Sequence, residues 1–333
     1  MGIKYLNKYL QSNCSDSIKQ ISLHELSGKK IVIDTSIYLY RFLGENALLE
    51  NFYLMISIFR EYNIIPLFVF DGKPPKEKSE LLKQRRDVKR AAETKYNDLK
   101  DKIDDIGEDV SEHEKKRFDE TLSTLKKEFI RVHHTDIENV KNLIQSYGVS
   151  YIDAPGEADK LCAKMVCKHK AYACLSEDMD LFVYGCNRVL RYLSLLKKKV
   201  IMYELKGMLQ EIKLSFTEFQ HICVVSGTDY NTDTLDNGTS NRVNTNLSQT
   251  LKYFKKYQAN VAKCLPKPDF YTWLEQNTKY VDNVASLYSI LDLFDLKNMP
   301  EYKNYENLKI INGPCSRTNL RHIMEKEDFV FVE

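Results

Sequence analysis

Seven carboxylates of this chain stand where short apolar runs stop. Asp34 closes Ile31-Val32-Ile33, and Asp71 closes Leu67-Phe68-Val69-Phe70. Glu157 and Asp159 lie in Ala154-Pro155-Gly156-Glu157-Ala158-Asp159, and Asp178 and Asp180 in Ser176-Glu177-Asp178-Met179-Asp180. Asp229 follows Val224-Val225-Ser226-Gly227-Thr228. Taken singly, each of these acids reads as a strand-end or cap residue. Apolar runs of this length, however, read as buried parallel strands, and ligands of open α/β sheets collect at the carboxyl ends of such strands. Several segments delivering acids to one edge therefore read as a site. At about 4 Å and an effective dielectric near 20, each like-charged pair costs on the order of 4 kcal/mol. A cluster of that kind stays ionised only with cations inside it, and oxygen ligands select a hard divalent ion, Mg²⁺ first and Mn²⁺ as its substitute. Two such ions about 4 Å apart clamp the attacking and leaving oxygens of a phosphoryl transfer. Pro155-Gly156 marks a helix entry for Glu157 and Asp159, whereas an extended Glu177–Asp180 would aim Asp178 and Asp180 to one side.

The substrate side of that chemistry is suggested by the stretch after Asp71. Lys73, Lys76, Lys78, Lys83, Arg85, Arg86, Lys89, Arg90 and Lys95 occur there among few acids. Lys78, Arg85 and Lys89 fall on a single helical face. As a lone feature this is a solvated helix laced with ion pairs. Beside an acidic metal pocket it fits a polyanion led toward the metals. From Asp101 to Glu114 the chain turns acidic, so the basic face belongs to the inner helix only. The seven histidines accompany no nucleophile elbow, and no Walker A or G-x-G-x-x-G loop occurs, which argues against triad and nucleotide-hydrolase chemistry.

The elements that must position these groups follow from periodicity. Strand-like runs cover 31–33, 64–70, 171–175 and 181–184, separated by amphipathic stretches at 47–61 and 137–147. Alternation of this kind implies a mostly parallel α/β sheet flanked by helices. The charged stretch from Pro74 to about His133 breaks the rhythm and reads as two helices around Ile106-Gly107, inserted after the second strand. Helix resumes near Leu251-Lys252-Tyr253-Phe254, and the tail from Leu287 carries no chemical motif. At 333 residues, 43% hydrophobic and 29% charged, with net charge +2, the chain reads as an ordinary soluble enzyme. Eight scattered cysteines without a C-x-x-C pair fit a reducing compartment and offer no zinc site. No apolar run reaches the length of a membrane span and no secretory leader is read. Met1-Gly2 lacks the hydroxyl residue at position 6 that myristoylation needs.

The ordered set Met1-Gly2-Ile3, Ile33-Asp34-Thr35-Ser36…Tyr40-Arg41-Phe42, Val69-Phe70-Asp71-Gly72-Lys73-Pro74-Pro75, Ala154–Asp159, Ser176–Asp180 and Gly227-Thr228-Asp229-Tyr230 resembles the flap endonuclease/XPG family of structure-specific 5′ nucleases. The resemblance spans residues 1 to about 230. It implies a PIN-like α/β fold: a nuclease region at 1–75, an inserted helical arch at 76–133, an internal nuclease region at 134–230, and a helical duplex-binding region (a divergent helix-two-turn-helix) with the tail at 231–333. It also implies two Mg²⁺ ions, one among Asp34, Asp71, Glu157 and Asp159, the other among Asp178, Asp180 and Asp229. Asp159 replaces a Glu usual at that place. Lys78 and Arg85 match the residues that stabilise the scissile phosphate, Tyr40 matches an aromatic on which a base stacks, and Gly2 lies near substrate. The family's duplex-gripping turn and its K⁺ site correspond to Asp236-Asn237-Gly238, where only Gly238 persists, followed by Arg242. The stretch between Phe42 and Tyr62 is shorter than in cellular relatives. No sliding-clamp box is present; Ser289-Ile290-Leu291-Asp292-Leu293-Phe294 imitates one poorly and reads as a packed helix.

The expected activity is Mg²⁺-dependent 5′ nuclease cleavage at single-strand/duplex DNA junctions, a 5′ flap endonuclease with 5′-3′ exonuclease action in replication, repair or recombination. The alternatives are a 5′-3′ exonuclease on DNA ends or RNA, and a catalytically silent nucleic-acid-binding subunit. The expected partner is branched or flapped DNA, without membrane, met by a monomer. The expected place is intracellular, at sites of DNA replication or repair: the nucleus if the chain is cellular, a cytoplasmic replication site if viral.

Overall fold

The computed structural model describes residues 2–106, 112–231, 246–261, 268–281, 283–297 and 299–331. Seven strands form one mixed sheet: β1 (Ile18–Ser22), β2 (Lys30–Asp34), β3 (Ile65–Phe70), β4 (Ser150–Asp153), β5 (Ala173–Leu175), β6 (Arg188–Ser194) and β7 (Lys199–Glu204). Their spatial order is β1-β7-β6-β5-β2-β3-β4. β2 runs parallel to both β3 and β5, and parallel pairing continues outward to β4 and β6. β7 and β1 extend the β6 edge with antiparallel pairs. From β2 the chain moves one way to β3 and β4, then returns to β5 on the other side. The strand order therefore reverses between β2 and β5, the place where ligands of such sheets bind.

Successive residues of a strand face opposite sides, and the apolar runs supply a core on each. Val32, Leu67, Val69 and Cys174 belong to one buried cluster, while Ile31, Ile33, Phe68, Phe70, Ala173 and Leu175 belong to the other. Buried residues of α2 (Thr35–Gly44), α3 (Leu48–Glu61) and α6 (His134–Ser146) close the second cluster. The first is closed by α1 (Leu6–Asn13) and α7 (Ala158–Cys167), and by α8 (Asp180–Val183), α9 (Leu205–Glu211) and α10 (Phe216–Ser226). It continues without a break into α11 (Leu247–Val261), α12 (Phe270–Asn277) and α13 (Val284–Leu293), whereas α14 (Arg317–Glu325) packs beside α6 through Leu320 and Met324.

Between β3 and α6 stand the long α4 (Ser79–Ile106) and α5 (Glu112–Glu128), packed mainly on each other. Their base is tied by Arg131–Glu93 at 2.5 Å, by the Tyr96 and Phe129 rings 5.4 Å apart, and by Lys89 donating to the Ile130 carbonyl at 2.8 Å. Gly107 lies outside the described residues.

Two elements differ from expectation. The run at 181–184 is α8 rather than a strand, and Val224-Val225 ends α10 rather than a strand. Leu181, Phe182 and Val183 are buried all round, as are Ile222 to Val225, so neither run has a polar face to reveal its helical period. The segment Glu177–Asp180 is likewise a turn into α8 and is not extended. β1, β4, β6 and β7, which carry charged or half-exposed residues, are additional strands. Among the described residues, no helix is long and apolar enough to cross a membrane.

Candidate active site

Asp34 is the last residue of β2 and is buried, and its Oδ2 accepts a hydrogen bond from Ser176 Oγ, just past β5, at 2.9 Å. Asp71 follows β3. One of its oxygens accepts from the Ser36 hydroxyl, and the other accepts from Ala158 N at 2.8 Å. That second bond satisfies an orphan N–H at the positive end of α7. The turn carrying Asp71 needs glycine next to it: Gly72 N donates to the Gly156 carbonyl at 2.7 Å, and a Cβ there would collide with the Ala154 carbonyl oxygen.

Glu157 is the residue before α7. Lys78 Nζ donates to its Oε1 at 2.7 Å and the Tyr230 hydroxyl to its Oε2 at 2.8 Å. Asp159, one residue inside α7, is buried. Asp178 N donates to Ser176 Oγ at 3.1 Å and Asp180 N to Asp178 Oδ1 at 3.0 Å, which folds the loop into α8. Asp229 accepts from Arg85 Nη2 at 2.8 Å. Tyr40 presents a half-exposed ring on α2 with Lys89 Nζ 4.6 Å above it.

These residues share one cavity of about 260 Å³. It is lined by Asp34, Asp71, Glu157, Asp159, Asp178 and Asp229, with Ser36, Tyr40, Lys78 and Arg85. Asp180 stands behind this lining, and Gly2 sits against it with φ +75°. A Cβ on Gly2 would come within 2.5 Å of Asp180 Oδ1 and 2.8 Å of Asp178 Oδ1. Gly238 and Arg242 lie outside the described residues.

The electrostatics are those of crowded, desolvated acids. Burial and then Asp71 push the Asp34 carboxyl up to about 8, with Asp178 and Glu157 adding to the rise against the Ser176 hydrogen bond. Burial and then Glu157 raise Asp159 well above the carboxylate range, with Lys78 opposing. Burial, Asp178 and Asp229 do the same to Asp180. For Lys78, burial alone would lower the ammonium, but Asp159, Tyr230 and Glu157 outweigh it and keep it charged.

The donor set suits hard divalent ions: it is all oxygen, and Asp180 Oδ1 is buried without a hydrogen-bond partner. Among the described residues, no three acids already close around one point. Glu157, Asp229 and Asp71 face Lys78, Arg85 and Ser36 instead. The residue types are thus right for metal, while the side chains as placed engage the site's own cations and hydroxyls.

Four contributors lie beyond the acid-and-base reading of the sequence. Ser36 and Ser176 hold Asp71 and Asp34, and Tyr230 holds Glu157. Arg191, buried on β6, donates to the Glu177 carbonyl at 2.9 Å and so pins the loop that carries Asp178. Three of them adjoin acids within the motifs: Ser36 after Asp34-Thr35, Ser176 before Glu177-Asp178, Tyr230 after Asp229. Arg191 has no such signal.

Comparison with known proteins places the chain among its relatives. The XPG N-terminal domain model matches residues 1–92 and the XPG I-region model residues 148–229, together just over half of the chain. Flap endonuclease 1 of Leishmania braziliensis is 32% identical over 253 residues, covering 69% of this chain and 60% of the relative. Flap endonuclease 1-A of Sorghum bicolor is 32% identical over 249 residues, covering 69% and 62%. The chain thus spans about 60% of the length of these curated relatives. Among solved structures, the catalytic core of Rad2 in complex with DNA substrate aligns over 98% of this chain and 94% of that one, with TM-score 0.63 and 20% identity. Flap endonuclease-1 from Methanococcus jannaschii aligns over 94% and 91%, with TM-score 0.59 and 24% identity. At these identities the structural likeness speaks for the fold.

Proposed function

The chain belongs to the XPG family of 5′ nucleases, and on that premise we propose that it hydrolyses phosphodiester bonds at single-strand/duplex junctions of DNA with the help of two Mg²⁺ ions. The observation that carries this reading is the single cavity in which six acids meet Lys78, Arg85 and Tyr40 at the foot of the α4–α5 hairpin.

Nucleases of this family depend on divalent metal. In this chain Asp34, Asp71, Glu157 and Asp159 would hold one ion, and Asp178, Asp180 and Asp229 the other. Bound divalent ions supply a nucleophilic water at neutral pH and neutralise charge on the phosphate.

The chain's own groups do the rest. Lys78 and Arg85 offer N–H donors to the phosphate oxygens on which charge develops; Arg85, half exposed, leaves Asp229 to do so. Ser36 and Ser176 hold Asp71 and Asp34 in place by hydrogen bonds that need no reorganisation. Tyr40 gives a base near the cut bond a ring to stack on, which any base can use. The α4–α5 pair, which brings Arg85 to this cavity, would serve as the arch for the 5′ strand, and the helices from α11 onward would take the duplex. A contact of Gly238 and Arg242 with duplex phosphates belongs to the same proposal, weaker than in the family because only one glycine of the turn persists. The protein acts on flapped or branched DNA as a monomer, at intracellular sites of replication or repair.

The test is cleavage of end-labelled oligonucleotides with Mg²⁺ on 5′ flaps, nicked duplex, blunt duplex, single strands and RNA. A flap cut faster than its single-strand and blunt counterparts supports the reading. Equal rates on flap and single strand sink the structure-specific claim in favour of a 5′-3′ exonuclease on ends or RNA. Binding without any cutting marks the silent subunit.

A further inference from the structure

The segment Ser289–Phe294, which imitates a clamp-binding box, turns its last aromatic inward. Phe294 caps α13 at 1% exposure. Its ring meets Tyr184 at 4.8 Å and stands edge-on to Tyr230 at 5.4 Å. The Tyr184 and Tyr230 hydroxyls lie 3.2 Å apart, and Tyr230 donates to Glu157 Oε2 at 2.8 Å. A phenol has one proton, so Tyr184 must be the donor to Tyr230. The far face of the chain's path is Lys78, whose Nζ lies 4.6 Å over the Tyr230 ring and 2.7 Å from Glu157 Oε1. Three rings from three parts of the fold thus form one continuous contact from the C-terminal helices to the Lys78–Glu157 pair. Phe294 and Tyr184 touch no part of the cavity that holds the acids, and Phe294 lies beyond both segments matched by the family models.

We propose that Phe294, Tyr184 and Tyr230 are positioning residues that couple the seating of the C-terminal helices to the placement of Lys78 and Glu157. The coupling rests on the nuclease reading of the site, in which Lys78 meets the phosphate. Displacement of α13 moves Phe294, Phe294 tilts Tyr230, and the Tyr230 ring and hydroxyl carry Lys78 and Glu157 with them. A close-packed interior transmits such shifts because its side chains have no slack.

The test compares Tyr230→Phe, Tyr184→Phe and Phe294→Leu with the unaltered protein, using single-turnover cleavage of a 5′ flap at saturating protein with Mg²⁺ and flap affinity measured in EDTA. Tyr230→Phe and Phe294→Leu should each slow cleavage about 10-fold or more, the scale set by ångström misplacement of reacting groups. Affinity should stay within about twofold, and the double variant should be no slower than the slower single one, as members of one path behave. Tyr184→Phe, which leaves the Tyr230–Glu157 bond intact, should cost less than Tyr230→Phe. A second readout is independent of cleavage: amine-reactive labelling of Lys78, followed by mass spectrometry, should speed up several-fold in Phe294→Leu while the melting temperature stays above the assay range. Unchanged labelling and cleavage in the variants, or losses that multiply in the double variant, overturn the proposal. An unaltered protein that fails to cut any DNA overturns the nuclease reading alone, and the labelling result then still decides the coupling.

Discussion

Asp180 and Arg85 mark the two ends of what a single side chain contributes here. Asp180 is almost wholly buried, with one oxygen unpartnered, and two neighbouring acids press on it. Such an acid is costly to keep, and a cation held as proposed above would offset that cost. Asp180→Ala should therefore lower flap cleavage by well over the roughly 100-fold typical of outer-shell changes at metal sites, while DNA affinity holds or rises because a negative charge is gone. Retained cleavage in that variant would refute the metal assignment. Arg85 is half exposed and paired with Asp229 across 144 residues of sequence. Arg85→Ala should slow the chemical step by roughly 100-fold, as loss of one charged donor to a developing anion does, with a smaller change in affinity. Should affinity fall and the single-turnover rate stand, the arginine is a tether. Both residue types were legible in the sequence, since an acid at the end of an apolar run and a basic stripe beside it carry their meaning in type and spacing. What holds Asp71 and Asp34 was not, because the Ser36 and Ser176 bonds join positions 35 and 142 residues apart.

At the scale of elements, legibility followed exposure. β2 and β3 could be read because their neighbours in sequence are polar, and α3 and α6 because each has a wet face. α8 and the last turns of α10 could not, since burial on all sides erases periodicity there. The error changed the picture of how Asp180 and Asp229 are carried: one opens a short helix and the other follows the end of a helix, rather than hanging from strands. The C-terminal helices pack on α10 through the same buried surface, and His221 is where that contact becomes testable. Its ring stacks on Tyr271 of α12 at 4.2 Å, and burial holds its pKa below the ordinary 6.5, against the opposing charges of Asp269 and Glu218. Below pH 6.5 the unfolded chain takes up a proton that the folded one resists, so stability contributed here is lost as pH falls through that value and is fully present above it. Thermal unfolding between about pH 7.5 and 5 should show this loss, and His221→Phe, which keeps the ring but cannot protonate, should flatten it. An unchanged acid slope in the variant would remove His221 from the account.

For the molecule as a whole, a net charge of +2 conceals seven acids gathered from strand ends and helix ends beside the switch point of the sheet. Folding brings them together from five segments, so the cost of their proximity is a property of the native state alone. Asp34, held near 8 by burial and then Asp71, binds a proton in the folded protein over a range where the unfolded chain, with an ordinary value of 3.8, does not. Asp159 and Asp180 are shifted in the same direction. The sign follows: with more protons bound in the native state, stability without divalent ions declines as pH rises from the unfolded value through the folded one. Divalent ions need the ionised acids and displace those protons, so their binding strengthens over the same range. The gain in melting temperature on adding Mg²⁺ to EDTA-treated protein should therefore be small near pH 5.5 and grow toward about pH 8.5, because a ligand stabilises the native state in proportion to how far it exceeds its dissociation constant. Asp34→Asn should blunt both trends, lowering the Mg²⁺ gain and flattening the decline in EDTA. A Mg²⁺ gain that is equal at both ends of the range would mean that the acids are already ionised in the fold, held by Lys78, Arg85 and the hydroxyls alone. The electrostatic demand for cations, from which the two-ion reading begins, would then be met by the protein itself.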